Sequence, residues 1–155
     1  MIKAKNMMTK EVITVTPNSG IMEAAKLATS KSVSSLVVLD NGKPMAVVSE
    51  RDIMQGSLLK KTKVRDIMNK NFRVVSPDTA FYEITKSLKE KNIQRFPVVD
   101  GGRLIGIITE TDIVEATRDF TRFHQIMQDV ILAIFGIATA FFLFYFSPLG
   151  AALFG

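Results

Sequence analysis

The stretch from Gly106 to Ile113 reads Gly-Ile-Ile-Thr-Glu-Thr-Asp-Ile, and the stretch from Ala46 to Ile53, sixty positions earlier, reads Ala-Val-Val-Ser-Glu-Arg-Asp-Ile. Both stretches begin with apolar residues typical of a buried strand. They continue through a hydroxyl residue into acidic residues typical of the first turn of a helix. The match indicates that one strand-to-helix junction occurs twice in the chain.

The offset of sixty aligns the rest of the first 120 residues without a gap. A duplication on this scale predicts two copies of one supersecondary unit. The further identities include Met8 and Met68, Val15 and Val75, Pro17 and Pro77, Glu23 and Glu83, Val38 and Val98, Asp40 and Asp100, and Gly42 and Gly102.

Each copy is predicted to form a strand, a helix, a two-stranded hairpin and a second helix, because its hydrophobic period alternates between the strand and helix values. Asn18 and Ser19 are predicted to cap the first helix, and the turn residues 40–42 suit a tight hairpin. The first-copy segments are strand 12–16, a helix after residue 19, strands 36–39 and 45–48, and a helix from residue 50 or 51. The second-copy segments are strand 72–76, helix 80–91, strands 96–99 and 104–109, and a helix from about residue 110.

The predicted fold is of the α/β (α+β) class, with two β-α-β-β-α repeats. Each small sheet carries its helices on one face, so the two sheets are predicted to cover each other's remaining apolar surface. The predicted divisions are 1–60 for the first repeat, 61–119 for the second, 120–129 for a polar helical connector and 130–155 for a hydrophobic helix.

Four motifs of the second copy, in this order, resemble a cystathionine-β-synthase (CBS) domain: 64–68, 74–79, 96–101 and 106–113. With the duplication, residues 3–119 resemble a tandem CBS pair, or Bateman module. The first copy departs from the pattern at Pro44-Met45-Ala46, which lacks the glycine of Gly106, and at residues 39–42.

The resemblance implies a regulatory protein that binds an adenosyl ligand in clefts between its repeats and signals by a change of conformation. AMP, ADP, ATP and S-adenosylmethionine are the implied ligands, and a homodimer is the implied assembly. The alternative is a dimerising structural scaffold with vestigial clefts.

The strand-to-helix junctions are the predicted ligand sites. Thr109 ends a strand and Asp112 lies in the next helical turn, so a hydroxyl, a carboxylate and free helical N–H groups converge. A carboxylate accepts ribose hydroxyls, and a helix N-terminus favours phosphate. Ser49 and Asp52 repeat the arrangement. The alternative is that both aspartates only stabilise helix starts.

Arg95 resembles the position from which some CBS domains contact phosphate, while its counterpart is Ser35, so the two sites are predicted to differ in charge. The second copy, with Arg95, Thr109 and Asp112, is predicted to hold the fuller site. The alternative for Arg95 is a solvated surface arginine. The predicted ligand-binding residues are Thr14, Thr16, Ser34, Ser35, Ser49, Asp52, Val74, Ser76, Arg95, Phe96, Pro97, Thr109, Thr111 and Asp112.

The composition argues against catalysis and against a catalytic cofactor or metal. The chain has no cysteine and one histidine, His124, in a polar stretch, and it contains no P-loop, dinucleotide or nucleophile-elbow motif. The net charge is +5. The basic cluster of Lys60, Lys61, Lys63 and Arg65 is predicted to be a solvated linker, with contact to a polyphosphate as the alternative. No nucleic acid partner is expected, since no stacking aromatic or reading helix accompanies the cluster.

The last part of the chain differs from the rest, because every charged residue lies at or before Asp129. Residues 130–146 would span about 26 Å as a helix, and continuation through Ser147, Pro148 and Leu149 approaches the thickness of a bilayer core. A membrane anchor is predicted. Arg118 and Arg122 precede it and no basic residue follows, so the repeats are predicted to be cytoplasmic. The alternative is a soluble cytoplasmic protein that buries this helix in an oligomer.

Overall fold

The computed structural model describes residues 2–146. These residues fall into two compact units, which divide between Val114 and Glu115. The first unit contains the repeats as far as the start of the last helix, and the second contains the remainder of that helix. The predicted positions of Ser147, Pro148 and Leu149, and of the hydrophobic segment as far as residue 155, lie outside the described residues.

The first repeat contains a three-stranded sheet in the order β1-β2-β3, with β1 and β2 parallel and β2 and β3 antiparallel. Asn41 and Gly42 turn the hairpin with positive φ angles of 48° and 76°, which glycine and asparagine tolerate. The elements are α1 at Ala4–Met7, β1 at Thr14–Val15, α2 at Ile21–Lys31, β2 at Ser35–Asp40, β3 at Lys43–Ser49 and α3 at Glu50–Leu58.

The predicted helix cap at Asn18 and Ser19 is wrong. Helix α2 begins after Gly20, and the Oγ atom of Ser19 instead accepts a 3.2 Å hydrogen bond from the amide of Thr16. This bond closes the turn that follows β1. The amide of Gly20 donates to Oε2 of Glu23 at 3.3 Å, so the glutamate in the first helical turn satisfies the start of the helix.

The second repeat keeps the hairpin and helices but not the first strand. Its elements are a 3₁₀ turn at Val64–Asp66, α4 at Phe81–Lys91, β4 at Arg95–Asp100, β5 at Arg103–Thr109 and α5 at Glu110–Tyr145. In place of the predicted strand at 72–76, the structure has a single bridge between Val75 and Val98.

Pro97 explains this loss. In the first repeat the amide of Val37 donates a 3.0 Å hydrogen bond to the carbonyl of Ile13, which extends the pairing of β1. The counterpart of Val37 is Pro97, which has no N–H group and therefore cannot make the corresponding bond. The amide of Val75 still donates to the Pro97 carbonyl at 3.0 Å, so contact persists without a strand.

Each repeat is completed by the segment that precedes the other one. The amide of Ala4 donates to the carbonyl of Thr79 at 2.8 Å, and the amide of Val64 donates to the carbonyl of Ser19 at 3.0 Å. Ala4 is fully buried in the second-repeat core and Val64 in the first-repeat core. Both donors and both acceptors are sixty residues apart, so the exchange follows a local two-fold symmetry.

A third apolar cluster holds the two sheets together. Val37 on β2, Val47 on β3 and Ile107 on β5 are buried in it. Partly buried side chains from both repeats surround these three, namely Val12, Leu39, Phe72 and Leu104. The predicted α/β class, with two repeats packed through their sheets and a long C-terminal helix, is therefore confirmed.

Helix α5 continues where its counterpart α3 ends. Helix α3 stops before Lys60, which has a left-handed φ of 55°, whereas α5 runs for 36 residues. Every side chain at positions 121–146 is exposed, including the apolar ones. By length and composition α5 can cross a membrane, since its most apolar 18-residue window has a mean hydropathy of 2.1 and none of that window is buried.

Candidate ligand-binding clefts

Two clefts lie between the repeats, at the two strand-to-helix junctions. The first, named here the arginine cleft, has a volume of about 260 Å³. The second, named the acidic cleft, has a volume of about 250 Å³. The arginine cleft is lined by Val47, Ser49, Arg51, Asp52, Asn69, Asn71, Asn92, Gln94 and Arg95. The acidic cleft is lined by Thr9, Glu11, Ile13, Ser32, Val33, Ser34, Ser35, Ile107, Thr109, Thr111 and Asp112.

The two clefts are copies of each other in position. Every residue of the arginine cleft has its counterpart, sixty residues away, in the acidic cleft. In each cleft the strand-to-helix junction comes from one repeat. The residues that face the junction come from the other repeat: some lie near its start, and the others lie from the end of its first helix to the start of its hairpin. A ligand in either cleft would therefore contact both repeats.

The Ser49–Asp52 junction is organised by hydrogen bonds around one carboxylate oxygen. Oδ2 of Asp52 accepts from the amide of Ser49 at 2.8 Å and from its hydroxyl at 2.6 Å. The amide of Asp52 in turn donates to Oγ of Ser49 at 3.2 Å. In the described part of the chain, Oδ1 of Asp52 has no hydrogen-bond partner. One carboxylate oxygen thus stabilises the helix start, and the other can accept from a ligand.

The Thr109–Asp112 junction repeats this geometry with one addition. Oδ2 of Asp112 accepts from the amide of Thr109 at 2.7 Å and from its hydroxyl at 2.8 Å. Oδ1 of Asp112 accepts from the hydroxyl of Thr9 at 3.2 Å. Both aspartates therefore stabilise a helix start through Oδ2, as the alternative interpretation of the sequence predicted. Oδ1 takes no part in that stabilisation.

Arg95 lies between the two junctions. Its Nε atom donates to Oγ of Ser35 at 2.7 Å, and its Nη1 atom donates to the carbonyl of Gln94 at 3.0 Å. Among the residues that the structure describes, none accepts a hydrogen bond from Nη2. The half-buried guanidinium is thus held in one orientation while it retains donors for an anion.

The clefts differ in charge. Arg51 and Arg95 outnumber the single carboxylate, Asp52, in the arginine cleft. Glu11 and Asp112 are the charged residues among those that line the acidic cleft, and both are negative. One cleft therefore attracts anions and the other repels them.

Eight of the predicted site residues line these clefts, but not in the predicted grouping. Arg95 was predicted to share a site with Thr109 and Asp112, and this is wrong. Because the strand β4 of one repeat begins beside the junction of the other, Arg95 lies with Ser49 and Asp52. The acidic cleft brings together Ser34, Ser35, Thr109, Thr111 and Asp112.

The other six predicted residues do not line either cleft. Phe96 and Pro97 are fully buried in the protein core, and Val74 is exposed. Thr16 and Ser76 form equivalent turns with Ser19 and Thr79. Thr14 lines a separate open groove beside the two hairpin turns.

Several cleft residues were missed from the sequence: Thr9, Glu11, Asn69, Asn71, Asn92 and Gln94. They precede the first strand of the first repeat or the equivalent segment of the second repeat, or they follow the first helix of a repeat. None belongs to the motif that defines a junction. Asn92 and its counterpart Ser32 have left-handed φ angles of 50° and 52° at helix ends. The end of the first helix of each repeat therefore places polar side chains opposite the junction of the other repeat. The polar residues after each predicted helix are the sequence feature from which this wall could have been predicted.

Residues 4–58 and 64–119 each match the CBS domain family. The chain therefore belongs to this family and contains a tandem CBS pair, which confirms the resemblance of the sequence. CBS pairs are typically regulatory modules, and in some proteins they are part of an enzyme.

Relatives of this chain are mostly longer than it is. An uncharacterized protein of Methanocaldococcus jannaschii is 34% identical over 115 residues, which are 74% of this chain and 39% of the relative. An inosine-5′-monophosphate dehydrogenase of the same organism is 35% identical over 116 residues, which are 73% of this chain and 23% of the dehydrogenase. The similarity thus covers the repeats and only a part of each relative.

Two solved structures of the same fold contain adenosyl ligands. The CBS domain pair of protein MJ0100, in complex with 5′-methylthioadenosine and S-adenosyl-L-methionine, is 28% identical with a TM-score of 0.69 and covers 76% of this chain and 97% of that one. CBSX2 in complex with AMP is 28% identical with a TM-score of 0.64, and the match covers 78% of this chain and 99% of CBSX2.

Proposed function

We propose that this protein is a regulatory sensor that binds an adenosyl ligand, namely AMP, ADP, ATP or S-adenosylmethionine, and that it has no catalytic activity of its own. The observation that carries the proposal is the duplicated junction of a hydroxyl residue and an aspartate, facing a cleft of about 250 Å³ in each copy. Solved CBS pairs with 28% identity to this chain hold ligands of this class.

The chemistry of the junction suits a nucleoside. Oδ1 of Asp52 accepts ribose hydroxyls while Oδ2 remains bonded to Ser49. The start of α3 supplies N–H groups and the positive end of its dipole. Val47 and its counterpart Ile107 provide an apolar wall for a purine ring.

Signalling follows from the composition of the clefts. Since both repeats line each cleft, a ligand that fits one relative arrangement of the repeats better than another shifts the population toward that arrangement. The size of the shift is limited by the difference between the two affinities.

Thermal unfolding with each candidate ligand tests the proposal. A ligand at 100 times its Kd stabilises the folded state by about 2.7 kcal/mol, so AMP, ADP, ATP or S-adenosylmethionine should raise the melting temperature, and CMP should not. No stabilisation by any adenosyl ligand would contradict ligand sensing and favour a structural scaffold.

The same protein is proposed to form a homodimer through the outer faces of its helices. Met22 and Tyr82 are 66% and 70% exposed, and Met54 and Val114 are 63% and 51% exposed. Each pair consists of counterparts in the two repeats, so the exposed apolar surface follows the local symmetry. A second copy that covers these side chains would gain their transfer free energy.

Sedimentation of the whole 155-residue chain in detergent tests the dimer. The double substitution Met22→Glu and Tyr82→Glu should produce monomers. Lys31→Glu is the matched control, because Lys31 is exposed on the opposite side of the same helix α2 from Met22, and it should leave the dimer intact. A dimer that survives the double substitution would contradict this interface.

The C-terminal part of α5 is proposed to anchor the protein in a membrane with the CBS pair in the cytoplasm. Its exposed apolar side chains at 130–146 form an uncharged stretch of about 26 Å, and Arg118 and Arg122 precede it. Carbonate washing of cell membranes tests the anchor. The protein should stay in the membrane fraction until detergent is added, and release by carbonate alone would favour a soluble oligomer that buries this helix.

A further inference from the structure

The two clefts have the same backbone plan and opposite electrostatic character. Three pairs of counterparts carry the difference: Arg95 and Ser35, Arg51 and Thr111, and Asn71 and Glu11. At each pair the arginine cleft has the more positive side chain. All three exchanges therefore act in the same direction.

We propose that the two clefts bind different chemical classes of adenosyl ligand. The arginine cleft takes a nucleoside that carries a phosphate, and the acidic cleft takes one whose substituent is uncharged or positively charged, such as a sulfonium. This inference rests on the proposed function, because it assigns ligands to the same clefts.

The arrangement of the side chains in the arginine cleft, and not only their charge, favours the binding of an anion. Arg95 is held by its bonds to Ser35 and to the Gln94 carbonyl, so little side-chain entropy is lost when an anion binds. Arg51 lies in the first turn of α3 and is exposed at the cleft. A phosphate there would be close to two guanidinium groups and to a helix N-terminus.

The acidic cleft has the opposite properties. Its Ser35 hydroxyl already accepts from Arg95, and the lining residues supply no cation to offset Glu11 and Asp112. Ile13 and Val33 add apolar surface that has no counterpart in the lining of the arginine cleft. A phosphate would be repelled, whereas a neutral or cationic adenosine derivative would be tolerated.

Calorimetric titration of the whole 155-residue chain in detergent, with AMP and with S-adenosylmethionine, tests this assignment. AMP should fill one site per chain, and saturating S-adenosylmethionine should not displace it. Arg95→Gln should weaken AMP binding about tenfold or more. It should weaken S-adenosylmethionine binding much less, through the lost bond to Ser35 on the wall of the acidic cleft. Arg95→Lys, which keeps the positive charge, should reduce the affinity for AMP less than Arg95→Gln does.

Charge reversal of the acidic cleft gives the complementary test. Glu11 is exposed, so Glu11→Lys should fold normally, weaken S-adenosylmethionine binding and add a second AMP site. Glu11→Gln is the neutral control, and its affinity for S-adenosylmethionine should lie between those of the unaltered protein and of Glu11→Lys. Equal filling of both clefts by AMP in the unaltered protein would overturn the charge assignment and leave adenosyl binding intact. Binding of none of AMP, ADP, ATP and S-adenosylmethionine would overturn the proposed function itself.

Discussion

The Nε atom of Arg95 donates a 2.7 Å hydrogen bond to the Oγ atom of Ser35. These residues occupy the same position of the two repeats, sixty residues apart. Equivalent positions of two copies related by a two-fold rotation meet only next to the rotation axis. The bond therefore lies at the local axis, where it joins a wall of the arginine cleft to a wall of the acidic cleft.

Removal of the Ser35 hydroxyl should destabilise the CBS pair. Ser35 is 8% exposed, and Ser35→Ala leaves Nε of the half-buried Arg95 without its partner. We expect the free energy of unfolding to fall by about 1 kcal/mol, measured by chemical denaturation. The neighbouring Ser34→Ala, at an exposed position, is the control and should change it by less than about 0.5 kcal/mol. Equal effects would show that the bond contributes nothing.

A methyl group at Gly106 should also be destabilising. A Cβ atom there would lie 2.6 Å from Sδ of Met8 and 3.1 Å from the carbonyl oxygen of Thr9. The methionine side chain can move. The Thr9 backbone is fixed, because both its N–H and its carbonyl group form hydrogen bonds with the backbone of Ile107. Gly106→Ala should therefore cost about 1–3 kcal/mol of stability, measured in the same way. An unchanged unfolding midpoint would contradict this close packing.

The carboxyl group of Asp78 should titrate at low pH. Lys5 and Lys3 each place Nζ 3.0 Å from Oδ1 of Asp78, and they hold its pKa below the ordinary value of 3.8. A lowered folded-state pKa means that these ion pairs stabilise the protein at neutral pH. This stabilisation is lost as the pH falls through the folded-state pKa.

The measurement for Asp78 is an NMR titration of its side-chain carboxyl. Lys5→Met should raise the pKa toward 3.8, whereas Lys10→Met, at another exposed lysine, should not. High salt should act in the same direction as Lys5→Met, because the groups are exposed and screened. A pKa at or above 3.8 in the unaltered protein would contradict the ion pairs.

Much of the fold follows from the sequence because the signals are local. The hydrophobic periods predicted the hairpins and the helices α2, α3 and α4 to within a few residues. The prediction failed at strand 72–76, where the missing N–H of Pro97 on a distant strand decides the pairing. It also failed at Ser19, whose hydroxyl bonds to Thr16 instead of to the helix.

The candidate site was predictable only in half. The hydroxyl and aspartate of each junction are three residues apart, so their pairing follows from a short motif. The opposite wall of each cleft comes from residues that are far away in the sequence, and only the crossing of the repeats brings them there. For this reason the predicted grouping placed Arg95 with Asp112, whereas the structure places it with Asp52.

The affinity of AMP for two matched variants tests the central claim most directly. Asp52→Asn and Asp112→Asn each change one carboxylate at equivalent positions of the repeat. If the arginine cleft is the phosphate-binding site, Asp52→Asn should weaken AMP binding about tenfold or more, and Asp112→Asn should change it by less than about threefold. A larger loss in Asp112→Asn, or equal losses in both, would contradict the assignment.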